Sequence, residues 1–213
     1  MTLDHRLVLR AYAQTARAAH ETLTALDQLS GDGDFGDNLR EGLDRVEDAL
    51  GERPDDPAFA VAASVFLDEV GGTSGPLIGL LFQEIARALA ASEDVREGWR
   101  TGVAEGLAAI QRVGEAEPGD RTMVDALAPA RDALAAGEGY AGTARAALSG
   151  ARATADIRAR RGRAAYVGDR ALGAPDPGAT GVALLFWSLA GVAEPYAATD
   201  TLEEVLRQVR ADG

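Results

Sequence analysis

Residues 26–38 read LDQLSGDGDFGDN, a loop rich in both glycine and aspartate. Gly31, Gly33 and Gly36 match the spacing G-x-G-x-x-G, which in dinucleotide-binding folds follows a β-strand and opens a helix. Here the preceding stretch has the period of a helix, because apolar residues recur at three- and four-residue steps over 3–26. The pattern therefore argues against a Rossmann fold and predicts a loop between two helices.

The carboxylates of this loop limit the ions that it could bind. An EF-hand starting at Asp32 would need a glutamate at its twelfth position, which is Leu43. Asp27, Asp32 and Asp34 remain as ligands for a hard divalent cation such as Mg²⁺, which keeps several waters and takes substrate phosphates as further ligands. These residues leave one alternative open, a solvated acidic turn with an aspartate at the helix N-cap.

Composition excludes several other kinds of site. The 213 residues include no cysteine, and His5 and His20 are the only histidines, so thiolate chemistry and cysteine–zinc sites are excluded and a histidine metal site is disfavoured. All 21 basic residues are arginine, which rules out a P-loop and a Schiff-base lysine. A net charge of −13 argues against nucleic acid as a partner. Without a membrane-length apolar run or a signal peptide, we expect a cytoplasmic protein with no membrane partner.

Helical periodicity extends along most of the chain, and no segment shows the two-residue period of a strand. We predict an all-α single domain over 1–213, with about eight helices in up-and-down order and alternate loops gathered at one end. Pro129 should kink or interrupt its helix. The predicted helices are 3–26, 38–50, 58–70, 77–91, about 95–113, 122–136, 142–159 and 180–192, followed by one that a capping box opens at Thr201.

Three further loops share the small-residue character of the first. They are GGTSGPLIG at 71–79, GEAEPGDRTMVDAL at 114–127 and GRAAYVGDRALGAPDPGAT at 162–180. With GDGDFGDN at 31–38 they resemble, in the same order, the GDGDHG-x-N signature, the second glycine loop, the GDKTM-type loop and the DPGA-ending lid of the nucleotide-binding L-type subunit of dihydroxyacetone kinases. The match spans most of the chain, which is identified as a member of that family. The resemblance implies a barrel of eight antiparallel helices with the nucleotide site at one end.

The same resemblance implies a set of cofactors and site residues. ADP or ATP would be held through two Mg²⁺ ions, with Asp27, Asp32 and Asp34 as the metal ligands. Arg163 would act in catalysis and would form, with 176–178, a lid over the nucleotide. Met123 alone could equally be a core residue. The implied nucleotide contacts are Phe35, Gly36, Asn38, Thr73, Ser74, Gly114, Met123, Arg163, Asp176 and Gly178.

Arginines cluster near the implied lid in an otherwise acidic chain. Guanidinium groups suit phosphate oxygens and the charge of a phosphoryl-transfer transition state. A surface that docks a partner is the alternative interpretation for most of this cluster. Its members are Arg158, Arg160, Arg161, Arg163 and Arg170.

Two positions depart from the family pattern. Phe35 stands where the family usually has histidine, and Arg121 stands where it usually has lysine. The three aspartates are intact, so we expect nucleotide binding to be retained. Phenylalanine has no polar side-chain group, so Phe35 puts in question the phosphoryl-transfer step or the identity of the acceptor.

The resemblance also implies that this chain is half of an enzyme. A separate K-type subunit would hold a small keto-sugar such as dihydroxyacetone. The phosphoryl group would come from ATP, or from bound ADP that a phosphotransferase-system protein rephosphorylates. The alternatives are a kinase for a different small acceptor and a nucleotide-sensing protein without turnover.

Overall fold

The computed structural model describes residues 3–161, 164–167, 171–197 and 200–210. Within these ranges the chain forms eight helices of 11 to 26 residues and two shorter ones, with a 3-10 turn at Thr154–Asp156 and no strand. The long helices are α1 (His5–Ser30), α2 (Phe35–Glu52), α3 (Ala58–Asp68), α4 (Ser74–Ala91), α5 (Val95–Gly114), α6 (Val124–Ala135), α7 (Tyr140–Ala153) and α9 (Pro177–Ala193), and the short ones are α8 (Ala164–Val167) and α10 (Leu202–Val209).

The eight long helices close into a ring. Each packs against the next, and α9 returns to pack against α1. Large side chains fill the interior, among them Tyr12, Phe66, Trp99 and Phe186, which are at most 1% exposed. Short connections join the consecutive helices from α1 to α7 and a longer one leads to α9, and neighbouring helices run antiparallel. The predicted all-α barrel of antiparallel helices is confirmed. None of the described helices has the length and apolarity needed to cross a bilayer.

The up-and-down order brings four connections to the end of the barrel where α1 finishes. These connections are residues 31–34, 69–73, 115–123 and the described parts of 154–176. They contain or adjoin the four loop motifs of the sequence. The other connections lie at the opposite end, where Asp94 caps α5 by accepting a hydrogen bond from the N–H of Arg96.

Most helix boundaries lie close to the predicted ones, and the exceptions have local causes. The capping box at Thr201 is present, with reciprocal bonds to Glu204. Helix α7 ends at Ala153, earlier than predicted, because the chain tightens into the 3-10 turn. Pro129 was predicted to kink or interrupt its helix, and the interruption is wrong, since α6 continues through Pro129. Gly150 of α7 packs without a side chain over Pro129 and the Asp125 carbonyl, the group that a proline at 129 leaves without its helical donor.

We predict that Gly150→Ala lowers the free energy of unfolding by about 1–3 kcal/mol. An added Cβ would collide with the Asp125 carbonyl oxygen and lie 2.7 Å from Cγ of Pro129, so α6 and α7 would have to separate. Urea denaturation measures the change. Gly51→Ala, where nothing lies within 4 Å of the added Cβ, is the matched control. Equal stability of the two variants would contradict close packing at Gly150.

Candidate active site

A cavity of about 190 Å³ opens between the four connections. Most of the residues that the resemblance implies for the site lie on its wall, although they come from separate parts of the chain. Gly36 does not line it, and Arg163 lies outside the described residues. The implied residues that do line it are Asp27, Asp32, Asp34, Phe35, Asn38, Thr73, Ser74, Gly114, Met123, Asp176 and Gly178.

Asp27 holds the first loop in shape. It lies in the last turn of α1, and its Oδ2 accepts hydrogen bonds from the N–H groups of Gly33 at 3.0 Å and Phe35 at 3.1 Å. Gly33 has a φ of 88°, a conformation that glycine adopts readily and other residues rarely do. The carboxylate of Asp27 therefore folds the loop back so that Asp32 and Asp34 face the same cavity. Sequence reasoning assigned Asp27 only to a metal and missed this bond.

Asp34 occupies the N-cap position of α2 without acting as a cap. Its backbone has φ −84° and ψ −14°, and its side chain makes no capping hydrogen bond. The solvated N-cap alternative therefore does not describe Asp34. Within the described ranges, no three acidic or histidine side chains are close enough to form a ready-made metal site. Carboxylates repel one another when no cation lies between them, which keeps them apart. Joint coordination of a metal ion by Asp27, Asp32 and Asp34 therefore stays a prediction.

Two implied contacts in this loop also have packing roles. A Cβ at Gly36 would lie 2.9 Å from the carbonyl oxygen of His20, so the absence of a side chain allows α2 to approach α1. The side chain of Phe35 is 6% exposed and packs against α9, where Gly181 leaves space for its ring. The nonpolar side chain of Phe35 thus joins the first loop to α9.

The second glycine loop presents polar groups to the cavity. Gly72 has a φ of 73°, and a Cβ there would lie 3.3 Å from Nδ2 of Asn38, so the loop passes close to the first one. Ser74 is the first residue of α4 and Thr73 precedes it, and the side chain of Thr73 does not cap the helix. Hydroxyl groups and the N–H groups of a helix start are suited to phosphate oxygens.

Apolar residues line another part of the cavity. Gly114 and Met123 are joined there by Leu77, Ile110 and Ala116, which sequence reasoning missed. The sequence placed Leu77 and Ile110 only within predicted helices, and which end of α4 or α5 faces the cavity becomes evident once the helices pack. An apolar surface of this kind suits a flat, poorly hydrated ring such as adenine.

Two buried charged residues line the cavity, Asp176 at the end of the last connection and Arg121 in the connection between α5 and α6. Oδ1 of Asp176 accepts the N–H of Ala179 at 2.8 Å and caps α9, while the Asp176 N–H donates to Oγ1 of Thr154 at 2.7 Å. Burial raises the pKa of Asp176 to about 6, against the opposing effects of the Ala179 N–H and the Arg121 guanidinium. Arg121 is 1% exposed and was not among the implied contacts.

The arginine cluster is only partly described. Arg161 lines the cavity and pairs with Glu115 at 3.3 Å. Arg158 and Arg160 are exposed. Arg163 and Arg170 lie outside the described ranges, so the catalytic role of Arg163 stays a prediction.

The chain is similar to known proteins over most of its length. Residues 29–191 match the model of the DAK2 domain. The ADP-binding subunit DhaL of PEP-dependent dihydroxyacetone kinase 1 from Listeria innocua is 34% identical over 197 residues, which cover 89% of this chain and 97% of that protein. L-erythrulose 1-kinase from Mycolicibacterium smegmatis is 36% identical over 194 residues, which cover 85% of this chain and 34% of that enzyme.

A solved structure agrees. The dihydroxyacetone kinase from C. freundii, in complex with AMP-PNP and Mg²⁺, aligns with a TM-score of 0.66 and 28% identity over 89% of this chain and 34% of that one. The chain thus spans about a third of the longer kinases and nearly all of the Listeria subunit. With this match, the ring of eight helices and the four loops around one cavity have a common explanation: the chain belongs to the DAK2 domain family.

Proposed function

We propose that this chain is the ADP-binding subunit of a dihydroxyacetone-type kinase. It would bind ADP or ATP with Mg²⁺ and take part in phosphoryl transfer to a small keto-sugar held by a K-type partner subunit. One observation carries the proposal. Asp27 at the end of α1, Asp32 and Asp34 of the first loop, and the hydroxyl residues Thr73 and Ser74 of the second loop lie on the wall of one cavity.

The described residues suit the parts of a magnesium nucleotide. Carboxylate oxygens of Asp27, Asp32 and Asp34 are the donors that Mg²⁺ prefers, and two ions are part of the proposal. Bound magnesium would neutralise charge on the phosphates. Asn38, Thr73 and Ser74 would donate hydrogen bonds to phosphate oxygens, and the apolar wall near Met123 would take the adenine ring. Arg161, and Arg163 by resemblance, would lie near the transferred group.

The proposed acceptor follows from the names of the relatives, and the proposed partner would supply a ketose-binding group that this chain does not place in the cavity. Dihydroxyacetone and L-erythrulose, the substrates in the relatives' names, are small ketoses. The resemblance implies that the K-type subunit binds the ketose covalently through a histidine. The only histidines of this chain are His5 and His20 on α1, and neither lines the cavity, so the partner would hold the ketose. ATP, or ADP rephosphorylated by a phosphotransferase-system protein, would supply the phosphoryl group. A cytoplasmic location is part of this proposal.

Two measurements test the proposal in sequence. Calorimetric titration of ADP and ATP should show binding that requires Mg²⁺. The chain is then mixed with a purified K-type subunit, and phosphorylated ketose is measured from dihydroxyacetone and from L-erythrulose, with ATP or with the phosphoenolpyruvate system. Product from either donor supports the proposal. No binding of either nucleotide with Mg²⁺ would overturn it, and binding without turnover under any of these conditions would favour a sensor.

A kinase for a different acceptor is the second candidate, and Phe35 favours it. We predict that Phe35→His leaves the dissociation constant for Mg-ADP within about threefold, because the residue contributes its backbone N–H to Asp27 and its ring to α9. Burying an imidazole against Gly181 should lower the free energy of unfolding by about 1–2 kcal/mol. Calorimetry and urea denaturation measure both. A large loss of affinity would show that the ring itself shapes the nucleotide site.

A further inference from the structure

Arg121 is an energetically costly residue in the α5–α6 connection. Its side chain is buried, and its backbone has a φ of 62°, which residues other than glycine rarely adopt. Burial removes water from the guanidinium and lowers the pKa of Arg121. Nε and Nη1 are buried and have no hydrogen-bond partner within the described residues. Stability alone does not account for an arginine here, so its remaining contacts are informative.

Those contacts reach the segment that enters α9. Nη2 of Arg121 donates to the carbonyl oxygens of Ala171 and Ala174, each at 2.8 Å. The two carbonyls precede Asp176, Pro177 and Gly178, which line the cavity. The guanidinium also interacts electrostatically with buried Asp176. One side chain thus joins two walls of the cavity that are 50 residues apart in the chain.

The loop that carries Arg121 is itself well held. The carboxylate of Asp125 accepts hydrogen bonds from the N–H groups of Gly119 and Thr122. The carbonyl of Asp120 accepts the N–H of Arg160 at 3.2 Å, which ties the loop to the last connection a second time. Arg121 therefore extends from a fixed base.

The segment that Arg121 contacts has two reporter amides. The N–H of Gly173 donates to the carbonyl of Ala155 at 2.9 Å, and the N–H of Asp176 donates to Oγ1 of Thr154 at 2.7 Å. Both bonds connect residues just before α9 with residues just after α7. They hold only while the segment stays in place, so their exchange with solvent deuterium measures how often it opens.

We propose that Arg121 is a positioning residue for nucleotide binding. Its guanidinium latches residues 171–174 to the α5–α6 loop and so sets Asp176, Pro177 and Gly178 in the cavity wall before nucleotide arrives. A wall arranged in advance removes an ordering cost from binding. The inference rests on the proposed function, because the ligand concerned is a magnesium nucleotide.

The test compares Arg121→Met with Arg121→Lys. Methionine keeps an unbranched stem without donors, whereas lysine keeps a charge and three donors that can reach the carbonyls. In the free chain, Arg121→Met should speed exchange at Gly173 and Asp176 by about tenfold and weaken Mg-ADP binding by about tenfold. Arg121→Lys should stay within about threefold of the parent chain in both. Arg131→Met, which removes only an exposed ion pair with Asp132, should change neither.

Each failure has a distinct meaning. If the parent chain does not bind Mg-ADP, the proposed function fails, while exchange in the free chain still tests the latch. Unchanged exchange at both amides in Arg121→Met would overturn the latch. Fast exchange with parent-like Mg-ADP affinity would overturn the positioning role. Should Arg121→Met lose protection throughout the helices, Thr154→Val, which removes the acceptor of the Asp176 N–H, tests the same segment and should also weaken binding.

Discussion

Replacing Asp34 with asparagine should weaken Mg-ADP binding by about a hundredfold, or about 2.7 kcal/mol, and leave the fold intact. An amide oxygen lacks the negative charge that makes a carboxylate a strong ligand for Mg²⁺. The substitution is nearly isosteric, so it changes charge more than shape.

Asp34 isolates the metal contribution because its carboxylate has no capping role. It is exposed on the cavity wall at the start of α2 and caps nothing. Asp27 is a poorer choice for this experiment, because its Oδ2 accepts two N–H groups of the loop. Replacing Asp27 would both alter the conformation of the loop and remove a predicted metal ligand. A loss of Mg-ADP affinity could then not be assigned to either cause.

Calorimetry at several Mg²⁺ concentrations measures the effect, because a chain that lacks one magnesium ligand needs a higher Mg²⁺ concentration to reach the same nucleotide affinity. Asp48→Asn provides the control, because Asp48 is exposed on the same helix and its replacement makes the same change in net charge. If Asp34→Asn binds Mg-ADP as tightly as the parent chain, Asp34 is not a metal ligand. An equal loss of Mg-ADP affinity in Asp48→Asn would indicate an effect of net charge alone.

The second large effect concerns Asp176 and pH in the metal-free chain. Burial raises the pKa of Asp176 to about 6 in the folded chain, from 3.8 in its absence. Between these values the folded state binds more protons than the unfolded state, so the contribution of Asp176 to the free energy of unfolding falls as pH rises. The total loss above pH 6 is about 3 kcal/mol.

Asp176→Asn should remove this loss. Asparagine can still accept the Ala179 N–H and cap α9, yet carries no charge to bury. We expect equal stability of variant and parent near pH 3.5, and a variant more stable by about 2–3 kcal/mol near pH 8. Urea denaturation across pH measures both. Parallel pH curves would show that Asp176 does not titrate in this window.

The resemblance of the loops identified the family from sequence because its chemistry lies in short local motifs. GDGDFGDN places aspartates, glycines and an amide within eight consecutive residues at 31–38. Helical periodicity predicted the all-α fold, and up-and-down order predicted that alternate loops would meet. Each of these inferences depends on neighbours within one or two turns of chain.

Tertiary structure decided which groups have a second role. Gly36 carries the motif spacing, but its missing side chain allows α2 to pack on α1. Pro129 was expected to disturb its helix, and Gly150 from another helix accommodates it. The packing at Gly36 and at Pro129 depends on which atoms of distant segments contact them, and local periodicity does not specify those contacts.

The charged residues of the cavity also differ in whether sequence or tertiary structure determined their role. The sequence by itself determined that Asp27, Asp32 and Asp34 are close neighbours in the chain, since they lie within eight residues. Only the packed barrel determined that Asp176 is buried and that Arg121 reaches Ala171 and Ala174. Desolvation and long-range hydrogen bonds arise when distant segments exclude water from one another, and no stretch of sequence contains both partners.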